Sequence, residues 1–320
     1  MKKENHFLAF AFAEAERMRQ LGHPGVAANY ACSARSLQRF LHTMGKHDIT
    51  FDQMKPATMA NFERWLHDQG ICRNTSSAYL RCLHAVFKKA VQLELACGDP
   101  FLGTYRGVAK TAKRAIPAMD IRRIGQLDIR RRLLAQGRQD GTLRFHSLLK
   151  RLELARDIFI FSFCARGLSF VDLAYLQKSN ICHGSIRYAR RKTGRRLEVR
   201  IEQPMQHIID RWATDSPYLF PIITETCNAE RIYRQYHNGI QLYNKHLKLL
   251  GKLLGGLPLT SYVSRHSWAS TAHQQHVPLS IISQAMGHDS EQTTEIYLKS
   301  LECNMIDQAN HRLLRDVFRP

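Results

Sequence analysis

The chain has 320 residues, 44% of them hydrophobic and 23% charged, which suits two domains that each bury a core without disulfides or metals. Lys and Arg number 47 against 27 Asp and Glu, a net charge of +20. An excess of that size concentrates polyanions around the protein, and DNA is the densest polyanion in a cell. The basic start and the apolar residues after it are interrupted by Glu14, Glu16 and Arg17, which excludes a secretory signal. No run reaches the roughly 18 consecutive apolar residues of a membrane span, so a membrane partner is not expected. The Cys at 32, 72, 82, 97, 164, 182, 227 and 303 form no Cys-x-x-Cys pair and read as reduced, mostly buried thiols of a cytoplasmic protein. His273 and His276 stand three apart without a Cys or carboxylate partner, too little for a metal site.

Residues 1–104 read as a helical domain. Val26, Tyr30, Leu37, Phe40, Leu41 and Met44 follow the helical period of one buried face. Met59, Phe62 and Leu66 repeat it in a shorter helix that stops at Gly70. Asn74 is placed to cap a further helix, with Leu83, Val86, Phe87 and Ala90 inward and Gly98-Asp99-Pro100 ending it. The other faces carry Arg73, Arg81, Lys88 and Lys89, a positive bias that fits a bundle lying on phosphates. Residues 105–118 then break the pattern. Their mixture of Gly, Pro and basic residues predicts a flexible linker crossing the DNA backbone, with Lys113 and Arg114 as contacts.

The remainder, 119–320, is mixed. Ser147 to Cys164 predicts a long buried helix, and Ser169-Phe-Val-Asp172 has the spacing of a capping box that opens a short one. Arg187–Arg190 and Leu197–Ile201 alternate about Arg191-Lys-Thr-Gly194, the pattern of a β-hairpin with a glycine turn. Helices dominate again from Met205, and Trp268 is assigned to the core.

The chemistry concentrates near the C-terminus, in LTSYVSRHSWASTAHQQHVPLSIISQAMGHDSEQTTEIYLKSL. Here Arg265 stands beside His266, Met286-Gly287-His288 follows, and Tyr297 comes nine residues later, with Ser290 placed to cap the helix that would carry it. Taken singly these are bland features: a Gly-His pair starts helices, a Tyr at helical spacing is core, and Lys192 is a turn lysine. In this order they resemble the signature of the tyrosine recombinases, the phage-integrase family: an arginine motif, then Leu-Gly-His, then a tyrosine on the next helix. The phrases FSFCARGLSFVDLAYL, YARRKTG and SYVSRHSWAS are similar to the branch carried by conjugative elements. An N-terminal domain that begins near residue 7 leaves no room for an arm-site-binding domain, which favours a simple recombinase or invertase.

The resemblance implies a mainly α fold with a small β-sheet, in which a helical core-binding domain and an α-rich catalytic domain clamp a duplex. It also implies site-specific cleavage and rejoining of DNA through a 3′-phosphotyrosyl intermediate, serving integration, excision or inversion. The partners would be double-stranded DNA with inverted-repeat core sites, three further copies of the chain, and an accessory DNA-bending or directionality factor. The tail, with Leu301, Met305, Ile306, Ala309 and Leu313 at helical spacing, would dock onto a neighbouring protomer. No cofactor or metal is implied, since the phosphotyrosyl bond keeps the energy of the bond it replaces.

Each residue type fits its implied role. A phenol with a pKa near 10 must lose its proton as Tyr297 attacks, which a cationic site assists. Arg265 can donate two parallel hydrogen bonds to the phosphate. Lys192, on the hairpin, can deliver a proton to the leaving 5′ oxygen, and His288 would hydrogen-bond the scissile phosphate. Two positions depart from the family. Where an Arg usually follows Gly-Leu, this chain has Ser169 after Gly167-Leu168. Arg166, three residues earlier, would share a helical face with position 169 and is expected to supply the missing guanidinium, with Arg190 or Arg191 next in line. Tyr262 stands where the family often has His; it can donate a hydrogen bond but cannot shuttle protons at neutral pH. These departures keep two rivals open, a catalytically impaired DNA-binding regulator of the same fold and a strand-relaxing topoisomerase.

Overall fold

The computed structural model describes residues 6–109, 111, 114–288, 290, 292, 294 and 295. The chain divides into two compact units, Met1–Thr111 and Ala112–Pro320. It is mainly helical with one small sheet, as the resemblance implied.

The first unit contains α1 (Phe7–Gln20), α2 (Pro24–Thr43), α3 (Pro56–Asp68) and α4 (Arg73–Gln92). Helix α2 turns Ala27, Ala31 and Ala34 inward, followed by Leu37 and Leu41; side chains this small let it lie close against α1. Leu37, Phe40 and Leu41 are buried as the period predicts, but the ends of the expected stripe are not. Val26 and Met44, expected inside, are 39% and 46% exposed. Phe7, Phe51, Phe87 and Phe101 fill the centre, with Phe7 edge-on to Phe51 and Phe87 edge-on to Phe101. Met59, Phe62 and Leu66 point inward from α3 as the period predicts.

Two expectations for α4 are corrected. Its N-cap is Cys72, and it ends at Gln92 rather than at Gly98 because Glu94 turns left-handed (φ 57°). Asn74 does not cap the helix. Its side chain grips Ala109 instead, Oδ1 accepting from the Ala109 amide at 2.7 Å and Nδ2 donating to its carbonyl at 3.0 Å. Ser77 Oγ donates to the Gly107 carbonyl at 2.6 Å, and the Tyr105 amide donates to Glu63 at 3.2 Å. Arg106 donates to His84 and pairs with Asp99 at 3.7 Å. The segment read as flexible from residue 105 is therefore fastened to α3 and α4 as far as 109. Backbone polar groups account for much of the difference, since each one left without water needs a partner, and Asn and Ser on α4 provide them.

The second unit contains α5 (Ala118–Gly125), α6 (Ile129–Ala135), α7 (Leu143–Cys164), α8 (Phe170–Ala174), α9 (Gln203–Arg211), α10 (Ala229–Leu253), α11 (Val263–Gln274) and α12 (Leu279–Met286). Its first anchor is Ile116, which is 6% exposed and whose amide donates to Ser267 Oγ at 2.9 Å. Helix α7 is central, packed by α5, α6, α9, α10 and α11. It buries Leu152, Ile158, Phe159 and Phe161, with Phe161 edge-on to Phe220 at 4.9 Å. Asp157 is its buried charge; it accepts from Trp212 Nε1 at 2.9 Å and Arg156 Nε at 2.8 Å, as a buried carboxylate must.

The sheet is antiparallel, β1 (Ile181–Cys182), β2 (Ser185–Ala189) and β3 (Arg196–Arg200) in sequential order. Tyr188 lies opposite Leu197, and Arg187 opposite Glu198. The β2–β3 turn closes through Arg190 N to Arg195 O at 2.9 Å and Gly194 N to Arg190 O at 2.7 Å, which is the hairpin that the alternation predicts. The two-residue β1 was not foreseen. The cysteines are a further correction: Cys32, Cys72, Cys97 and Cys227 are exposed, Cys82, Cys164 and Cys182 are half-buried, and all seven are free thiols. Among the described residues no helix is long and apolar enough to cross a membrane.

Candidate active site

The site begins at the turn between α7 and α8. Arg166 (φ 59°) and Gly167 (φ 72°) are both left-handed, so positions 166 and 169 do not share the helical face on which Arg166 was expected to replace the family arginine. The Arg166 guanidinium lies against β3 and donates to the Glu198 carbonyl at 3.3 Å. Ser169 is the N-cap of α8; its Oγ accepts from the Asp172 amide at 3.4 Å and donates to the Asp172 carboxylate at 2.6 Å. Gly167 is required by contact as well as by φ. A Cβ there would stand 2.9 Å from Cα of Arg265, so glycine is what lets the start of α11 come this close.

Arg265, in the first turn of α11, is 3% exposed. It donates through Nη1 to the Gly167 carbonyl at 2.7 Å and through Nη2 to the Met286 carbonyl at 2.8 Å. Nη2 also lies 3.0 Å from Nε2 of His288. Helix α12 stops at Gly287 (φ 64°), where the His288 amide reaches back to the Ser283 carbonyl. This reversal returns His288 to the interior, 6% exposed, with Nδ1 2.8 Å from the hydroxyl of the fully buried Thr294.

A second guanidinium reaches the same backbone from the sheet. Arg190, one residue past β2, continues the inward alternation of Ile186 and Tyr188 and is 7% exposed. Its Nη1 donates to the Gly287 carbonyl at 2.6 Å, and its Nε lies 3.7 Å from Asp172 Oδ2. Asp172, itself buried, also accepts from the Arg191 amide at 2.8 Å. A Cβ on Gly287 would fall 2.6 Å from Cδ of Arg190 and 2.9 Å from Cδ1 of Leu197, so this glycine makes room for the arginine. Arg191 lies over the ring of Tyr175 at 3.7 Å.

The electrostatics follow from this crowding. Burial, then Arg265, Arg190, Lys192 and Arg195, push His288 down to about 3, leaving the ring neutral at physiological pH. Arg195 donates to the His288 carbonyl at 2.5 Å, and Lys192 is exposed on the turn. The Tyr188 phenol is pushed up by burial and by Asp172, against the pull of Arg265, Arg190 and Arg166. Four cations thus gather about His288 with Asp172 as the buried carboxylate beside them. Positive charge gathered this closely attracts anions.

The other expected positions are scattered. Tyr262 is 54% exposed with its ring beside His266. In the first unit Arg73 stacks on Tyr105 at 3.9 Å, Arg81 and Lys88 are exposed, and Lys89 is half-buried. Arg114 is exposed. Lys113, Tyr297, Cys303 and the tail lie outside the described residues. Arg190, named from sequence only as a fallback, is the residue that the structure adds; its signal was the strand period that pairs it with Ile186.

Residues 6–106 match the phage integrase SAM-like domain, and residues 155–303 match the phage integrase family. No curated protein matches the chain. Among solved structures, a lambda integrase (75–356) dimer bound to a COC′ core site is similar at 14% identity, with a TM-score of 0.61 over 90% of this chain and 97% of that one. A Tn1549 transposon integrase in complex with transposon right end DNA gives 13% identity and a TM-score of 0.56 over 95% and 99%. A lambda integrase tetramer bound to a Holliday junction gives 12% and 0.53 over 86% and 71%. At these identities the likeness establishes the fold, that of the two-domain integrases. With both domain models matched across most of its length, the chain belongs to the tyrosine recombinase (phage integrase) family and is a site-specific DNA recombinase.

Proposed function

We propose that Tyr297 attacks a DNA phosphodiester held between Arg265 and Arg190, and that the resulting 3′-phosphotyrosyl bond is then transferred to a partner strand. The observation that carries this reading is the pair of buried guanidinium groups, from α11 and from the end of β2, braced on the consecutive carbonyls of Met286 and Gly287. In cleavage the bond from Tyr297 Oη to phosphorus forms and the bond from phosphorus to the 5′ oxygen breaks. The phenol gives up its proton, and Lys192 supplies one to the leaving oxygen, a role worth about 10²–10⁴ in rate. Negative charge grows on the non-bridging oxygens, where each preorganised donor contributes about 10²–10³. Rejoining reverses these steps with a new 5′-hydroxyl.

The first unit, with Arg81 and Lys88 exposed on α4, supports the reading of a core-binding domain (1–104) that lies on the backbone of the target duplex, ahead of a basic connection and a catalytic domain (119–320). The family and the transposon integrase likeness support work in a mobile element, as a tetramer on paired sites in the cytoplasm. A nicked duplex carrying a site selected from host DNA by binding provides the test. Wild type should form an SDS-resistant protein–DNA adduct, and Tyr297→Phe should bind equally well and form none. A regulator would give no adduct in either form, and a topoisomerase would relax plasmids without regard to sequence.

A further inference from the structure

The geometry points to Thr294 as the residue that lets His288 exchange one tautomer for the other when the site takes up phosphate. The inference rests on reading His288 as a phosphate contact. A guanidinium can only donate, so the 3.0 Å approach of Arg265 Nη2 requires Nε2 of His288 to accept. The proton of the neutral ring then sits on Nδ1 and is donated to the Thr294 hydroxyl at 2.8 Å. A phosphodiester oxygen has no proton to give. For His288 to bind it, Nε2 must carry the hydrogen, and Nδ1 must become an acceptor.

Whatever faces Nδ1 must therefore accept in the empty site and donate in the occupied one. A hydroxyl has one rotatable hydrogen and two lone pairs and can do both, whereas a carboxylate or carbonyl would hold the hydrogen on Nδ1 and an ammonium would exclude it. The exchange balances: one proton leaves Nδ1 for solvent, one arrives at Nε2, and the ring stays neutral, as its burial and the surrounding cations demand. Thr294 is fully buried, and positions 292, 294 and 295 are helical. It precedes Tyr297 by three residues, so the hydroxyl that answers the ring belongs to the segment that carries the nucleophile.

Nitrogen NMR of the full chain labelled at histidine tests this directly, with dimethyl phosphate, a diester anion that carries no proton near neutral pH, as the probe and His288→Gln to assign the signals. The free protein should show a neutral ring protonated on Nδ1, and phosphate should convert it to the Nε2-protonated form. Thr294→Ser should keep the switch. Thr294→Val, of nearly the same shape, should lose it and bind phosphate about tenfold more weakly, the scale of one hydrogen bond. A ring that stays protonated on Nδ1, or becomes doubly protonated, with phosphate bound would overturn the inference, as would an intact switch in the valine variant. Should Thr294→Val fail to fold, the wild-type and serine spectra still decide. If His288 does not switch while the Tyr297-dependent adduct forms, the inference alone fails; absence of both the His288 response and the adduct removes the functional reading too.

Discussion

Replacing Arg190 by alanine takes away a guanidinium that is 7% exposed, donates to the Gly287 carbonyl at 2.6 Å and stands 3.7 Å from Asp172. Two costs must be kept apart. Loss of one preorganised donor to the transition state is worth about 3 kcal/mol, or roughly 10² in the cleavage rate. Unpairing the buried Asp172 carries a separate stability cost of up to about 3 kcal/mol, moderated because Ser169 Oγ and the Arg191 amide still donate to that carboxylate. Arg190→Ala with Asp172→Asn removes the pair together and should recover much of the stability without recovering cleavage. The assay is single-turnover cleavage of a nicked site at saturating protein, beside a urea melt of each variant. Arg166→Ala should stay within about threefold of wild type, since it forgoes only a hydrogen bond to a β3 carbonyl. Near-normal cleavage by Arg190→Ala, or a hundredfold loss in Arg166→Ala, would refute the assignment.

Gly287→Ala should lower stability by about 1–3 kcal/mol in a urea melt and slow cleavage, because its Cβ would meet Arg190 Cδ at 2.6 Å on a left-handed residue. Lys192→Ala should cleave an ordinary phosphodiester slowly and a 5′-bridging phosphorothiolate almost normally, since that leaving group needs no proton; equal defects on both substrates would remove Lys192 as the acid. His288 adds a pH dependence whose sign follows from its folded pKa of about 3, below its usual 6.5. The unfolded chain takes up the proton first, so the contribution is complete above about 6.5 and is lost as pH falls toward 3. That amounts to about 2 kcal/mol between pH 7 and pH 5, and His288→Gln should flatten this part of the curve.

What could be read from the sequence was local. The hairpin followed from the alternation at Arg187–Arg190 and Leu197–Ile201 around Gly194, and α8 followed from the Ser169–Asp172 cap, because both are decided within a few residues. Partners distant in sequence were not legible. Nothing near Asn74 announces that its amide holds Ala109, 35 residues on. On α2 the middle of the stripe, Leu37, Phe40 and Leu41, is legible, but its ends are not: alanines, which carry little hydrophobic signal, continue the buried face while the larger Val26 and Met44 face water. Arg190 and Gly287 are 97 residues apart, and their meeting depends on the left-handed end of α12. The motif order identified Arg265, His288 and Lys192 as candidates, and the structure sets the charges of Arg265 and Lys192 about the neutral His288 imidazole. With Ser169 in place of the family arginine, proximity along the chain points to Arg166 for a second guanidinium. The alternation of Ile186 and Tyr188 leads instead to Arg190, which is buried and bound to the Gly287 carbonyl.

The central claim is that this cluster of cations serves a tyrosine nucleophile. The most direct test is to trap the covalent complex on a nicked site, digest its protein and DNA, and identify by mass spectrometry the residue that keeps a nucleotide. The account predicts a 3′-phosphotyrosyl linkage on the peptide containing Tyr297; a nucleotide on Tyr262, Tyr188 or a serine would contradict it.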